Sequence, residues 1–245
     1  MQFFTTANNL YFEKNTRQLV SGFCKFSRHR LRIYSEDMSA FEGSDFSISR
    51  MKRLDEIKEF QIKFKKQYGA RYQFLYYFQK MDVWILKIAA QLQHLEETES
   101  EVSIFIDSDS VITKKSFDET VAAFIEPFLS SDKSIALFRR FGTHLHTESG
   151  FLVLRKSPEL IQAYHAMLEF ILEGSFYVLA SWTDCSVIDH FIDTGLISYF
   201  DFCESYSLRS TNPVYESPLR TSMLHLKGPR KGSYSMLKRI IGSYR

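Results

Sequence analysis

Apolar residues fall into short runs and helical stripes that alternate along the chain. Residues 2 to 6 (QFFTT) read as a strand. Residues 11 to 26 then carry Tyr11, Phe12, Leu19, Phe23 and Phe26 at helical spacing, and 30 to 37 (RLRIYSED) read as a second strand closing on two acids. A β-α-β opening of this kind predicts an α/β fold with a mostly parallel central sheet flanked by helices. Residues 38 to 55 are mixed and polar and predict a loop with a short helix; 56 to 68 are charged and amphipathic. A long helix is predicted over 72 to 95, its apolar positions 74, 77, 78, 81, 84, 85, 88, 92 and 95 following the 3.6-residue period.

The next run, VSIFI (102 to 106), is apolar without clean alternation, as in a strand covered on both faces. A helix follows at 116 to 129, then strands at 134 to 138 and 150 to 154. Ser157 and Pro158 predict an N-cap and first-turn proline for a helix running to 173. A further helix is predicted over 184 to 194, and late strands over 197 to 202 and 222 to 226. Between these, the prolines and serines of 207 to 220 predict a loop.

Composition narrows the class. The chain has 245 residues, 44% of them hydrophobic, with 23 Phe and 13 Tyr, enough to fill one sizeable core. A net charge of +2 gives no sign of a nucleic-acid partner. Three widely spaced cysteines without a CxxC pair argue against a disulfide scaffold and predict a reducing, cytoplasmic setting. No apolar run approaches the roughly 20 residues that span a bilayer. The basic, apolar tail 235 to 245 is read as a helix packed on the domain, with peripheral contact to an anionic membrane surface as the alternative.

The chemistry lies where VSIFI ends in Asp107-Ser108-Asp109. Three readings are open on the residues alone. One is an ordinary exposed turn. The second is a metal-diphosphate site, in which carboxylates at the carboxyl edge of an α/β sheet hold Mg²⁺ or Mn²⁺ against the phosphates of a sugar nucleotide. The third is a haloacid-dehalogenase-type phosphatase, with Asp107 as nucleophile, Asp109 as acid/base and Asp184 with Asp189 as a late acidic pair. That phosphatase motif sits on the first strand of its domain, whereas about 100 residues precede it here. His144 and His146 form a His-x-His without a third ligand nearby and are read as polar surface.

With these landmarks in order, the chain resembles the GT-A fold glycosyltransferases of the glycogenin and lipooligosaccharide-galactosyltransferase type and related capsule-type enzymes. Asn8-Asn9-Leu10-Tyr11 is similar to their Asp-x-x-Tyr segment, and Asp107-Ser108-Asp109 to their metal motif. Glu148-Ser149-Gly150-Phe151 is similar to their Asn-Ser-Gly segment, and His225 to Lys231 to their late His-x-x-Gly-x-x-Lys. Trp182-Thr183-Asp184-Cys185 lies where they have Asp-Gln-Asp. Asn8, Glu148 and the Asp184-Cys185-Ser186 stretch depart from the pattern, which leaves the sugar, the acceptor and the stereochemical course open and keeps a non-catalytic domain that only binds a glycan or a partner as an alternative.

The resemblance implies a single domain, with 1–112 as nucleotide-binding half and 113–245 as sugar and acceptor half. It implies a UDP-sugar donor, Mn²⁺ or Mg²⁺, and a carbohydrate acceptor. Asp107, Asp109 and His225 would hold the metal. Thr6, Asn8, Tyr11 and Glu36 would contact base and ribose, with Asp37 beside them. Lys87, Lys227, Gly228 and Lys231 would face the diphosphate, Lys80 being the more solvent-exposed of the two lysines on the long helix. Asp184 and Glu148 are the candidate catalytic carboxylates: Asp184 as base toward the acceptor hydroxyl, Glu148 holding a sugar hydroxyl.

Overall fold

The computed structural model describes residues 1–7, 16–37, 47–68, 81–140, 146–209 and 212–225. Asn8, Tyr11, Lys80, His144, Lys227, Gly228, Lys231 and the tail 235 to 245 lie outside the described residues, as do the first parts of the helices expected from 11 and from 72.

Nine strands and eight α-helices are described. The strands are β1 (Gln2–Thr6), β2 (Leu31–Ser35), β3 (Ser47–Arg50), β4 (Val102–Ile106), β5 (Ser110–Ile112), β6 (Ile135–Phe138), β7 (Glu148–Arg155), β8 (Tyr199–Asp201) and β9 (Met223–His225). The helices are α1 (Arg17–Phe26), α2 (Leu54–Tyr68), α3 (Met81–Glu97), α4 (Phe117–Leu129), α5 (Pro158–Leu172), α6 (Asp184–Asp193), α7 (Phe202–Ser205) and α8 (Pro213–Glu216).

Seven strands form one sheet in the order β3-β2-β1-β4-β7-β6-β8. β3, β2, β1 and β4 run parallel, β7 is antiparallel to both its neighbours, and β8 is parallel to β6. The mostly parallel α/β sheet expected from the opening is therefore present.

Two apolar layers cover the two faces. Phe4, Phe105, Leu152, Leu154, Ile135 and Leu137 point to one, packed by α2, α3, α5 and α6. Phe3, Ile104, Ile106, Phe151, Val153 and Phe138 point to the other, packed by α1 and α4. Neighbouring residues of a strand face opposite ways, so a strand buried on both faces loses the polar half of its alternation. That is why VSIFI reads as a continuous apolar run.

Capping follows the sequence closely. The Ser157 hydroxyl accepts from Leu160 N–H with Pro158 in the first turn of α5. Thr183 and Ser186 form a capping box that starts α6 at Asp184.

Other expectations need correction. The loop expected over 38 to 55 contains β3, a polar edge strand (SISR) paired to β2 on one side, with no buried face to mark it in sequence. The strand expected over 197 to 202 ends at Asp201, whose carboxylate accepts Cys203 N–H and turns the chain into α7. The loop over 207 to 220 holds α8 and a 3₁₀ turn, Pro218–Thr221, each opened by proline. Ser110–Ile112 was not expected as a strand; it pairs with β9 in a separate two-stranded sheet.

Candidate metal and donor site

Because β1, β2 and β4 are parallel, their carboxyl ends share one edge of the sheet. Thr6, Glu36 and Asp107 follow from those ends. Asp107 N–H donates to Gly150 O (2.9 Å), which extends the β4–β7 pairing by one step. Ser110 N–H then donates to Asp107 O (3.0 Å), closing a tight turn that carries Asp109 and launches β5. β5 pairs antiparallel with β9, and Ser110 stands opposite His225. That pairing brings a residue more than a hundred positions away to the aspartates.

Asp107, Asp109 and His225 offer ligand atoms that all lie within 4.8 Å of one another. His225 Nε2 is 3.1 Å from Asp109 Oδ1 and 3.6 Å from Asp107 Oδ2. The imidazole is 3% exposed, yet neither ring nitrogen makes a hydrogen bond of acceptable geometry. A buried ring with two orphaned nitrogens beside two carboxylates is expensive unless something else takes the lone pair. Burial opposes a charge on the ring, but Asp107, Asp109 and Glu148 outweigh it and raise its pKa to about 9. Two carboxylates and one imidazole are a donor set suited to Mn²⁺ or Mg²⁺, so the residues fit the cation that the resemblance implies.

Gly150 makes room for this ring. A Cβ there would lie 2.2 Å from His225 Cε1 and 2.9 Å from both nitrogens. Every residue but glycine would meet the imidazole.

Lys87, on α3, approaches from the other side. Its Nζ lies 2.9 Å and 3.0 Å from the two Asp107 oxygens, 3.2 Å from Asp184 Oδ2 and 3.4 Å from Ser149 Oγ. Burial alone would lower the lysine pKa; Asp107, Asp184 and Cys185 hold it well above the ordinary value. In the same way burial would raise Asp107, and Lys87 with His225 holds it below the usual carboxylate range. Asp184, 2% exposed in the first turn of α6, also accepts from Ser149 Oγ (2.6 Å). Glu148 is fully buried: Arg140 Nη2 is bonded to one oxygen, and Gly150 N–H donates to the other (3.0 Å).

Thr6 and Glu36 are half-buried at the same sheet edge, whereas Asp37 is exposed. Burial pushes the Glu36 carboxyl up, Lys58 and Lys65 lower it, and Asp82 and Asp37 raise it. Arg140 and the bridging role of Ser149 were not read from the sequence; Ser149 and Gly150 lay within a quoted motif, while nothing local marks Arg140. The phosphatase reading needs Asp107 as an open nucleophile and Asp189 as a site acid. Here Asp189 is spent on Thr147 N–H (3.0 Å), Thr147 Oγ1 and His146 Nδ1 (3.2 Å).

No family model matches the chain, and a comparison with curated proteins finds no match. Solved structures do match. One is a glycosyltransferase involved in the glycosylation of the major capsid of PBCV-1, with 14% identity and TM-score 0.54, covering 96% of this chain and 100% of that one. The fold is GT-A. A second match is the galactosyltransferase LgtC in complex with donor and acceptor sugar analogs, at 11% identity and TM-score 0.52, covering 94% of this chain and 88% of that one. A third is the glycosyltransferase GlyE of Streptococcus pneumoniae TIGR4, at 11% identity and TM-score 0.52; 93% of this chain is covered and 54% of GlyE, so the chain spans about half of that protein. Among the described residues of this GT-A chain, no helix is long and apolar enough to cross a membrane.

Proposed function

We propose that this chain is a metal-dependent glycosyltransferase that moves a sugar from a UDP-sugar to a hydroxyl of a glycan acceptor. The observation that carries the reading is the Asp107–Asp109–His225 group at the carboxyl edge of a GT-A sheet, with an imidazole whose nitrogens lack hydrogen bonds.

Asp107, Asp109 and His225 would hold Mn²⁺ or Mg²⁺. The cation, when bound, supplies charge to stabilise the departing diphosphate. Lys87 keeps Asp107 ionised and oriented for that task, and its ammonium would meet a donor phosphate oxygen. We assign the base and ribose to Thr6, Asn8, Tyr11 and Glu36, and the distal phosphate to Lys227, Gly228 and Lys231. Asp184 is assigned to the sugar and acceptor side. Its carboxylate would take the proton of the attacking hydroxyl in an inverting transfer; a retaining course needs no such base. On this reading residues 1–112 hold the nucleotide and 113–245 the sugar and acceptor. We place the chain in a cytoplasmic setting on the number and wide spacing of its three cysteines.

The test is thermal unfolding with UDP and Mn²⁺, together and separately. Ligand at a hundred times its Kd should stabilise the protein by about 2.7 kcal/mol. Asp109→Ala should erase the metal-dependent part of that shift and lower UDP release from sugar nucleotides by at least about a hundredfold. No stabilisation by any nucleoside diphosphate, with or without Mn²⁺, sinks the proposal.

A further inference from the structure

Glu148 stands where the resembling enzymes carry an asparagine beside the transferred sugar, yet here it has no exposed surface. Its surroundings point inward. Arg140 Nη2 is bonded to Oε2, Gly150 N–H donates to Oε1 (3.0 Å), and His225 Nδ1 lies 4.0 Å from that same Oε1. On the far side of the ring, Nε2 faces Asp109 at 3.1 Å and Asp107 at 3.6 Å. The missing Cβ of Gly150 leaves the ring lodged between Glu148 and the aspartates, since any side chain there would strike all three of Cε1, Nδ1 and Nε2.

We propose that Glu148 is a positioning residue for His225, a buried carboxylate that takes the Nδ1–H and so leaves Nε2 as the lone-pair donor to the cation. The inference rests on the metal reading of the Asp107–Asp109–His225 group. The chemistry is simple. Imidazole can ligate through Nε2 only if its proton sits on Nδ1, and a buried N–H needs an acceptor. Glu148 is the carboxylate facing Nδ1. The remaining gap is about 1 Å longer than a hydrogen bond, and a small turn of the ring would close it. Carboxylate partners of this kind orient metal-bound histidines and raise their basicity. Arg140 gives this buried carboxylate a cationic partner on its other oxygen. The glutamate therefore acts on the metal through the histidine and does not touch the sugar.

The experiment is Mn²⁺ titration of the full chain without nucleotide, read as free Mn²⁺ by electron paramagnetic resonance. Wild type, Glu148→Gln and Glu148→Ala are compared. Glu148→Ala should weaken Mn²⁺ binding by about 10- to 100-fold. Glu148→Gln keeps the shape but only one carbonyl acceptor, which can serve Nδ1–H or Arg140 and not both, so it should lose at least about three- to tenfold. If Glu148→Ala fails to fold, the glutamine variant carries the test alone. A second readout is the imidazole ¹⁵N spectrum with Mg²⁺, where wild-type His225 should show its proton on Nδ1. Wild type that binds Mn²⁺ together with variants within twofold of it overturns the inference, as does a His225 spectrum with the proton on Nε2. A Glu148→Gln effect confined to donor KM, with metal affinity intact, would place the residue on the sugar instead. Wild type that binds no Mn²⁺ removes the metal reading itself, a separate failure.

Discussion

Helix α3 carries an ionic cluster near each end, and the two are built to opposite purposes. Toward its C-terminal end, His94 stacks on Phe4 with ring centroids 3.8 Å apart. Its Nε2 meets Ser103 Oγ at 2.9 Å, and its Nδ1 meets Tyr34 OH at 3.2 Å. Glu97 beside it is held by Arg32 (2.7 Å), Lys52 (2.8 Å) and Gln93 (2.9 Å). Both ring nitrogens of His94 and both oxygens of Glu97 have partners within the protein. Toward the N-terminal end, Lys87 enters a group of carboxylates around a histidine whose nitrogens lack hydrogen bonds. Both histidines are buried, so burial alone does not separate structure from function. What separates them is whether the fold has already satisfied the ring.

The largest way to break that contrast is to neutralise the charged side chain at the centre of each cluster, Lys87 in one and Glu97 in the other. Lys87→Met leaves the half-buried Asp107 and the buried Asp184 without their ammonium and should cost about 3 kcal/mol of unfolding free energy in urea. Part of this should return on adding Mn²⁺, because a divalent ion replaces the lost charge at Asp107. Glu97→Gln, at a cluster whose carboxylate is 20% exposed, should cost only about 1–2 kcal/mol and respond to no metal. Equal losses, or a metal-insensitive Lys87→Met, would undo the distinction.

Gly150→Ala comes next. Its Cβ would force the His225 ring aside, at about 1–3 kcal/mol for overpacking. Mn²⁺ affinity should fall by more than the stability loss alone implies, as isothermal titration would show. Unchanged affinity would mean that His225 is not a ligand.

The smallest effect is a difference in sign with pH. His94 is pushed down to about 3, first by burial and then by Arg32. Its folded state prefers the neutral ring, so the contribution is present above about 6.5 and is lost as pH falls toward 3. His225 is raised to about 9, so without metal its contribution is present below about 6.5 and is lost as pH rises through 9. In EDTA, thermal stability should therefore decline on both sides, the alkaline limb flattening in His225→Gln and the acid limb in His94→Gln. With Mn²⁺, the alkaline limb should give way to tighter metal binding as the competing proton leaves. An alkaline limb that His225→Gln leaves unchanged would place the titration elsewhere.

Much of the fold was legible because its signals are local. The apolar run 102 to 106 and the Ser157-Pro158 start of α5 each rest on residues within a few positions of one another. β3 was not legible, because a polar edge strand differs from a loop only in having a neighbour to pair with. In the site, Asp107 and Asp109 could be found from their place after a buried strand. Lys87 was placed toward the diphosphate; its hold on Asp184 and Ser149 emerged only from the packing of α3 against β4, β7 and α6.

The chain alone determined that helices would flank a mostly parallel sheet and that two carboxylates would stand at the end of its central strand, since residue spacing fixes periodicity and caps. Only the tertiary structure decided that His225 would meet those carboxylates, that Gly150 would vacate the space for its ring, and that Arg140 and Glu148 would lie behind it. Those outcomes depend on the β5–β9 pairing and on which buried polar groups are left for one another once the apolar layers close. Neither is written in any stretch short enough to be read by spacing.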